Sequence, residues 1–273
     1  ALATLDVLDQ GRLVEDRLSS IGRSIGAEVA EQLQTRSYSL SHGLLAGLRI
    51  DEVVTTNYDT LFETASTAAN QPARVLPYDP PTGGSRWLLK LHGCVNHPED
   101  IVVTRDDYLA YAKQRAALSG IVQALLITRH MLFVGFSLTD DNFQRIAHDV
   151  RSAMGRAETT GPIGTALLLR PTDLLAELWA RDLDCVPVGS TGDTTEAARK
   201  LEIFLHLVLA LSSDTSPYLL DPAYEGLFDR HEVEIRDRLT ELANSVSPEA
   251  KNSPAWTSIQ ELLDSLGQPP PHT

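Results

Sequence analysis

His130–Phe136 reads HMLFVGF, and Ser137-Leu138-Thr139 follows it directly. A short apolar run of this kind, rich in β-branched and aromatic residues and closed by Gly and a polar turn, suits a strand covered on both faces. A helix is predicted to start near Asp140, which makes the whole a strand–turn–helix unit. Working upstream, Ala116–Arg129 is an apolar helix, and Thr104 with Asp107 forms a capping box for a helix opening at Arg105. Ile101–Val103 reads as a brief strand. Trp87–Leu91 (WLLKL) is a further strand that runs into His92-Gly93, after a loop rich in Pro and Gly over Asn70–Arg86. Glu52–Thr56 (EVVTT) is a β-branched strand ending in Asn57-Tyr58, with a helix over Asp59–Ala69.

Towards the N-terminus, Ser39–Leu48 is a short helix. Leu13, Val14, Leu18, Ile21, Ile25, Val29 and Leu33 recur at three- and four-residue steps, which predicts one helix with one buried face. Downstream, Thr165–Arg170 (TALLLR) and Cys185–Val188 are strands, separated by a helix over Asp173–Arg181 and followed by a long helix over Thr195–Leu211. Alternating strands and helices, with several strands apolar throughout, define the α/β class: a doubly wound parallel sheet, Rossmann-like, with helical insertions. The pattern changes beyond Ser212. Helices over Asp229–Ser245 and Trp256–Leu266 and a Pro-rich end at Pro269–Pro271 read as a helical C-terminal appendage. The expected domains are therefore 1–212 and 213–273.

The 273 residues carry a net charge of −14 and are 42% hydrophobic, enough for a sizeable core. An acidic surface disfavours general nucleic-acid binding and otherwise reads as solvation. No run of about 18 apolar residues predicts a membrane span. The N-terminus lacks the basic and apolar regions of a signal peptide. Cys94 and Cys185 are too few for a disulfide framework or a zinc site and suggest a reducing, cytoplasmic setting.

Ligands of a doubly wound sheet bind at the carboxyl ends of its strands. Three polar clusters fall there: Thr56-Asn57-Tyr58-Asp59, Leu91-His92-Gly93 and Gly135-Phe136-Ser137. Two readings stand on the residues alone. Asn57 and Asp59 cap the next helix and His92 is a structural histidine, or the clusters form one site. Asp140-Asp141 reads as the first turn of a helix, where the dipole favours acids, rather than as a metal site. His97, His130 and His148 lack ligand spacing, and Tyr108 and Tyr111 read as packing on a helix face.

The strings TTNYD, LHG and GFSL, in this order and each at a strand end, resemble the nucleotide site of the sirtuin superfamily, above all the sirtuin-like NAD hydrolases of bacterial antiphage defence. The resemblance covers roughly Leu45 to Val188. It implies NAD as substrate, cleaved to nicotinamide and ADP-ribose. Asn57 would orient the nicotinamide ribose and the attacking water, with Thr56 beside it. Asp59 would meet the carboxamide of nicotinamide, and His92 would be the general base. Gly135 and Ser137 would line the ribose and phosphates, and Arg170 the adenosine ribose. Such domains work as homo-oligomers or beside a sensor, ATPase or nuclease.

Two features depart from the family. Its Gly-Ala-Gly phosphate loop has no counterpart: Gly22, Gly26 and Gly43 lie in helical stretches, and Gly83-Gly84 is a loop turn. The chain begins with Ala, and truncation upstream of Ala1 is the simplest account, one that would leave this fragment without part of the pocket. The four-cysteine zinc module of protein-deacylating sirtuins is also missing, so no zinc is expected and acyl-lysine chemistry is disfavoured. The competing functions are a module that binds NAD or ADP-ribose without turnover and, further off, an NAD-dependent protein deacylase.

Overall fold

The N-terminal periodicity forms two helices rather than one. Helix α1 (Val7–Ser19) starts at Asp6, whose carboxylate accepts the Leu8 N–H, and α2 (Ile25–Gln32) starts at Ser24, whose hydroxyl accepts the Ala27 N–H. Between them Gly22 takes φ 74°, a left-handed turn that ends the first helix. The expected buried face is also reduced: α1 buries no residue fully, and α2 buries Gly26 and Ala30. The structure, a computed structural model, describes residues 4–35, 37–80, 84–154, 161–169, 173–189, 193–212 and 218–268. Arg170, Gly83 and Pro269–Pro271 lie outside them.

The elements that follow are α3 (Leu40–Gly47), β1 (Glu52–Thr55), α4 (Leu61–Ala68), β2 (Arg74–Leu76), β3 (Trp87–Lys90), α5 (Arg105–Gln114), α6 (Ala116–Thr128), β4 (Met131–Val134), α7 (Asp141–Met154), β5 (Gly164–Leu168), α8 (Asp173–Trp179), β6 (Leu183–Pro187), α9 (Thr194–Ser212), α10 (Arg230–Ser245) and α11 (Pro254–Ser265). Strand β2 lies inside the stretch read as loop. The expected strand at Ile101–Val103 is an extended segment outside any ladder. Its backbone groups are used elsewhere: the Val102 N–H donates to the His92 carbonyl at 2.9 Å, and the Val103 N–H to Asp107 at 3.0 Å.

Among the described residues every pairing between named strands is parallel, and α-helices flank the sheets, which is the α/β arrangement expected. The ladders run as two three-stranded sheets, β1-β3-β2 and β4-β5-β6. One apolar core serves both: Leu89 of β3, Ala166 and Leu168 of β5, and Val122, Phe143 and Ile146 of α6 and α7 belong to a single cluster. Leu167, on the opposite face of β5, packs with Leu44 of α3 and Leu201 and Leu205 of α9. Strand β5 is thus covered on both faces, as double winding requires. Strand β4, whose sequence reads as central, lies at the edge of its sheet with Leu132 39% exposed. Arg129, just before β4, pairs with Glu52 at the start of β1 at 3.0 Å.

The chain divides into two compact units, Ala1–Leu209 and Ala210–Thr273. In the second, Ala243, Trp256 and Leu263 form the core, and Asp229 with Glu232 forms a capping box that opens α10. Among the described residues, no helix is long and apolar enough to cross a membrane.

Candidate active site

Thr55 pairs with Lys90 at the ends of β1 and β3, and the Leu91 N–H extends the ladder to the Thr55 carbonyl at 3.0 Å. Beyond the ladder the Val95 N–H donates to the Tyr58 carbonyl at 2.9 Å, so the segments that follow the two strands stay side by side. The TTNYD and LHG strings therefore meet at one carboxyl edge.

The Asn57 N–H donates to Thr55 Oγ1 at 3.1 Å, which turns the chain out of the strand and leaves Asn57 exposed, with Thr56 half-buried before it. Asp59 Oδ1 accepts the Leu61 N–H at 3.0 Å, so Asp59, one residue before the N-cap Thr60, satisfies a donor of the first turn of α4. Beneath this turn lies Lys90, only 1% exposed. Its ammonium donates to the Asp59 carbonyl and sits 2.9 Å from Glu63 Oε1. A buried ammonium persists only when paired and hydrogen-bonded. This one ties β3 to the turn carrying Asn57 and Asp59.

His92 is buried at the end of β3. Gly93 follows with φ 94°, and a Cβ there would lie 2.4 Å from the Asp100 carbonyl oxygen, so only glycine lets the chain turn at this point. The His92 ring meets the edges of Tyr108 and Tyr111 of α5 at centroid distances of 5.6 and 5.7 Å. Nearby, the Tyr58 hydroxyl donates to the Val102 carbonyl at 2.6 Å, and burial pushes that phenol up to about 12. Burial also holds the His92 imidazole below its ordinary 6.5. The Asp140 carboxylate pulls it upward and the Arg115 guanidinium pushes it down. The ring is therefore neutral at neutral pH, the state a proton acceptor needs.

The GFSL string turns between β4 and α7. Gly135 has φ 65° and faces open space where a side chain would project, leaving its backbone open to close approach. Leu138, fully buried, holds φ 60°, a left-handed conformation rare outside glycine and found where a turn is held under strain. The exposed Ser137 hydroxyl lies 2.9 Å from Thr139 Oγ1. The turn ends at Asp140, whose Oδ2 accepts the Tyr108 hydroxyl at 3.0 Å and stands 3.6 Å from His92 Nε2. This contact brings the third string to the other two.

The site thus combines an exposed amide and hydroxyl with a buried, neutral imidazole backed by a carboxylate. Such a set can position a polar substrate and take a proton from water. Among the described residues, no group of three or more His, Cys, Asp or Glu is arranged to hold a metal ion. Sequence reasoning missed Lys90, Tyr108, Tyr111 and Asp140 as parts of this site. A lysine inside the apolar run WLLKL was a readable signal for the first. The others depend on long-range packing.

The fold and site define an α/β protein whose candidate polar residues follow the carboxyl ends of parallel strands. Residues 51–183 match the family model described as a SIR2-like domain. Over 121 residues, 42% of this chain and 25% of the relative, it is 36% identical to NAD(+) hydrolase ThsA of Bacillus cereus (strain MSX-D12). NAD(+) hydrolase ThsA of Enterococcus faecium is 36% identical over 120 residues, 41% of this chain and 25% of the relative. Defense-associated sirtuin 2 of Bacillus subtilis is 29% identical over 116 residues, 40% of this chain and 12% of the relative. The match thus spans a quarter or less of the length of these curated relatives.

Proposed function

We propose that this chain cleaves the nicotinamide–ribose bond of NAD with water, giving nicotinamide, ADP-ribose and a proton, in antiphage defence. The observation that supports this reading is that Asn57 and His92 both follow the paired carboxyl ends of β1 and β3, within a stretch that matches a SIR2-like family model and is similar to proteins named NAD(+) hydrolases. Cleavage leaves an oxocarbenium-like sugar and needs the leaving group held and a water aimed. Asn57 orients the ribose and that water, with Thr56 flanking it. Neutral His92 takes the water's proton. Asp59 meets the nicotinamide carboxamide through Oδ2, since Oδ1 serves α4. Gly135 and Ser137 line the ribose and phosphates, and Arg170 the adenosine ribose.

Residues 1–212 form the NAD-handling domain in this reading, and 213–273 an appendage through which a second copy, a sensor or an ATPase acts. Unpaired Cys94 and Cys185 favour the cytoplasm.

A second reading is binding of NAD or ADP-ribose without turnover, and the charges around the site bear on both readings alike. Asp59 and Glu63 lie at the start of α4, Asp106 and Asp107 at that of α5, and Asp140 and Asp141 at that of α7. None of these termini offers a diphosphate the uncontested N–H groups that usually hold it. Chromatographic detection of free nicotinamide, with calorimetric binding of NAD and ADP-ribose alongside, separates the two. Release supports hydrolysis. Binding without release supports the second reading, and neither result overturns both.

A further inference from the structure

Asp140 uses its two oxygens for different partners. Oδ1 accepts the Phe143 N–H at 2.8 Å and so starts α7. Oδ2 accepts the Tyr108 hydroxyl and faces His92 Nε2 at 3.6 Å. The His92 ring is 4% exposed, and Nε2 has no hydrogen-bond partner among the described residues. A buried imidazole nitrogen left unpaired is unfavourable, and Oδ2 is an acceptor just beyond hydrogen-bond reach. Gaps of this size close when a ligand seats. The nearby hydroxyls already donate elsewhere, and the guanidinium cannot accept. The Tyr58 hydroxyl is bound to Val102, the Tyr111 hydroxyl donates to the Leu91 carbonyl at 3.4 Å, and Arg115 donates to the Asp100 carbonyl at 2.6 Å.

We propose that Asp140 is the positioning residue of His92: its Oδ2 accepts the hydrogen bond of Nε2–H, which leaves Nδ1 unprotonated and makes Nδ1 the atom that accepts the proton of the attacking water. Tyr108 holds Oδ2 in place for this. In the reaction the water's proton passes to Nδ1, its oxygen bonds the ribose carbon, and the nicotinamide nitrogen leaves with the bonding pair. Asp140 balances the imidazolium until Nδ1 returns the proton to solvent. Only this last part rests on the proposed NAD chemistry; the tautomer belongs to the free protein.

The test is nitrogen-15 NMR of the histidine rings in the ligand-free chain, with His92 assigned from His92→Gln. The Nε2–H form is expected. Asp140→Asn keeps an oxygen for the α7 cap but turns a donor NH₂ towards Nε2. It should switch His92 to the Nδ1–H form and move its titration to lower pH. Asp140→Glu should restore the native form. Where nicotinamide release is measured, Asp140→Asn should lower turnover by about 10²–10⁴-fold, the range for a general base held in the wrong tautomer, with KM little changed.

Tyr108→Phe leaves the cap untouched and concentrates the carboxylate's charge on His92, so it should raise the titration of that ring. An Nδ1–H ring in the native protein overturns the proposal. So does a His92 tautomer and titration unmoved by Asp140→Asn, or a titration unmoved by Tyr108→Phe. The expected ring behaviour in a chain that releases no nicotinamide would instead sink the NAD reading and leave the role of Asp140 standing.

Discussion

Replacing Lys90 by Met removes a charge that the fold buries almost completely while keeping the volume of the aliphatic stem. Little packing is lost, so the effect falls on the partners. Glu63 is left as a carboxylate only 17% exposed and without its cation, and the Asp59 carbonyl loses a charged donor. Breaking a buried pair from one side costs about 3–5 kcal/mol, and partial access of Glu63 to water lowers this to roughly 2–4 kcal/mol. Urea unfolding followed by circular dichroism measures the loss, and the melting temperature should fall by about 5–15 °C. Adding Glu63→Leu removes the stranded charge, so the double variant should recover most of the stability. A Lys90→Met protein within about 0.5 kcal/mol of wild type, the range of an ordinary surface change, would refute the reasoning. Equal loss in single and double variants would refute it too.

Gly93→Ala should destabilise by more than about 2 kcal/mol, because it combines a left-handed backbone with a Cβ driven against the Asp100 carbonyl; urea unfolding checks this, and a neutral outcome would mean the turn can move. Since burial lowers the His92 pKa, the neutral base persists below pH 6.5, and the acidic limb of kcat/KM for NAD should lie under that value, with a flat profile through neutrality. The same shift acts on stability. The neutral ring's contribution is complete above 6.5 and is lost as pH falls through the lowered value, so His92→Gln should flatten the acid loss of stability.

Much of this architecture was readable. The apolar runs at β1, β3, β4 and β5 needed only length and composition, and Thr104 with Asp107 announced its capping box from three-residue spacing. Elements whose fate depends on neighbours were harder. Arg74–Leu76 is too short to show a period, and becomes a strand because β3 offers its edge. Ile101–Val103 has strand composition, but its N–H groups are taken by His92 and Asp107. The N-terminal periodicity continues across Gly22 although the helix does not. At the site, Asn57 and His92 were legible because each ends a strand. Asp140 was read into the first turn of a helix, and it sits one residue before that turn, where its Oδ1 accepts the Phe143 N–H. Its second oxygen reaches a histidine far back in the chain, a contact that spacing cannot show.

The central claim is best tested by nicotinamide release from NAD by the wild-type chain, His92→Ala and Asn57→Ala at equal concentration. The account predicts release by the wild type, a fall of about 10²–10⁴-fold for His92→Ala, and a loss at least as large for Asn57→Ala. Release by His92→Ala at the wild-type rate would contradict it.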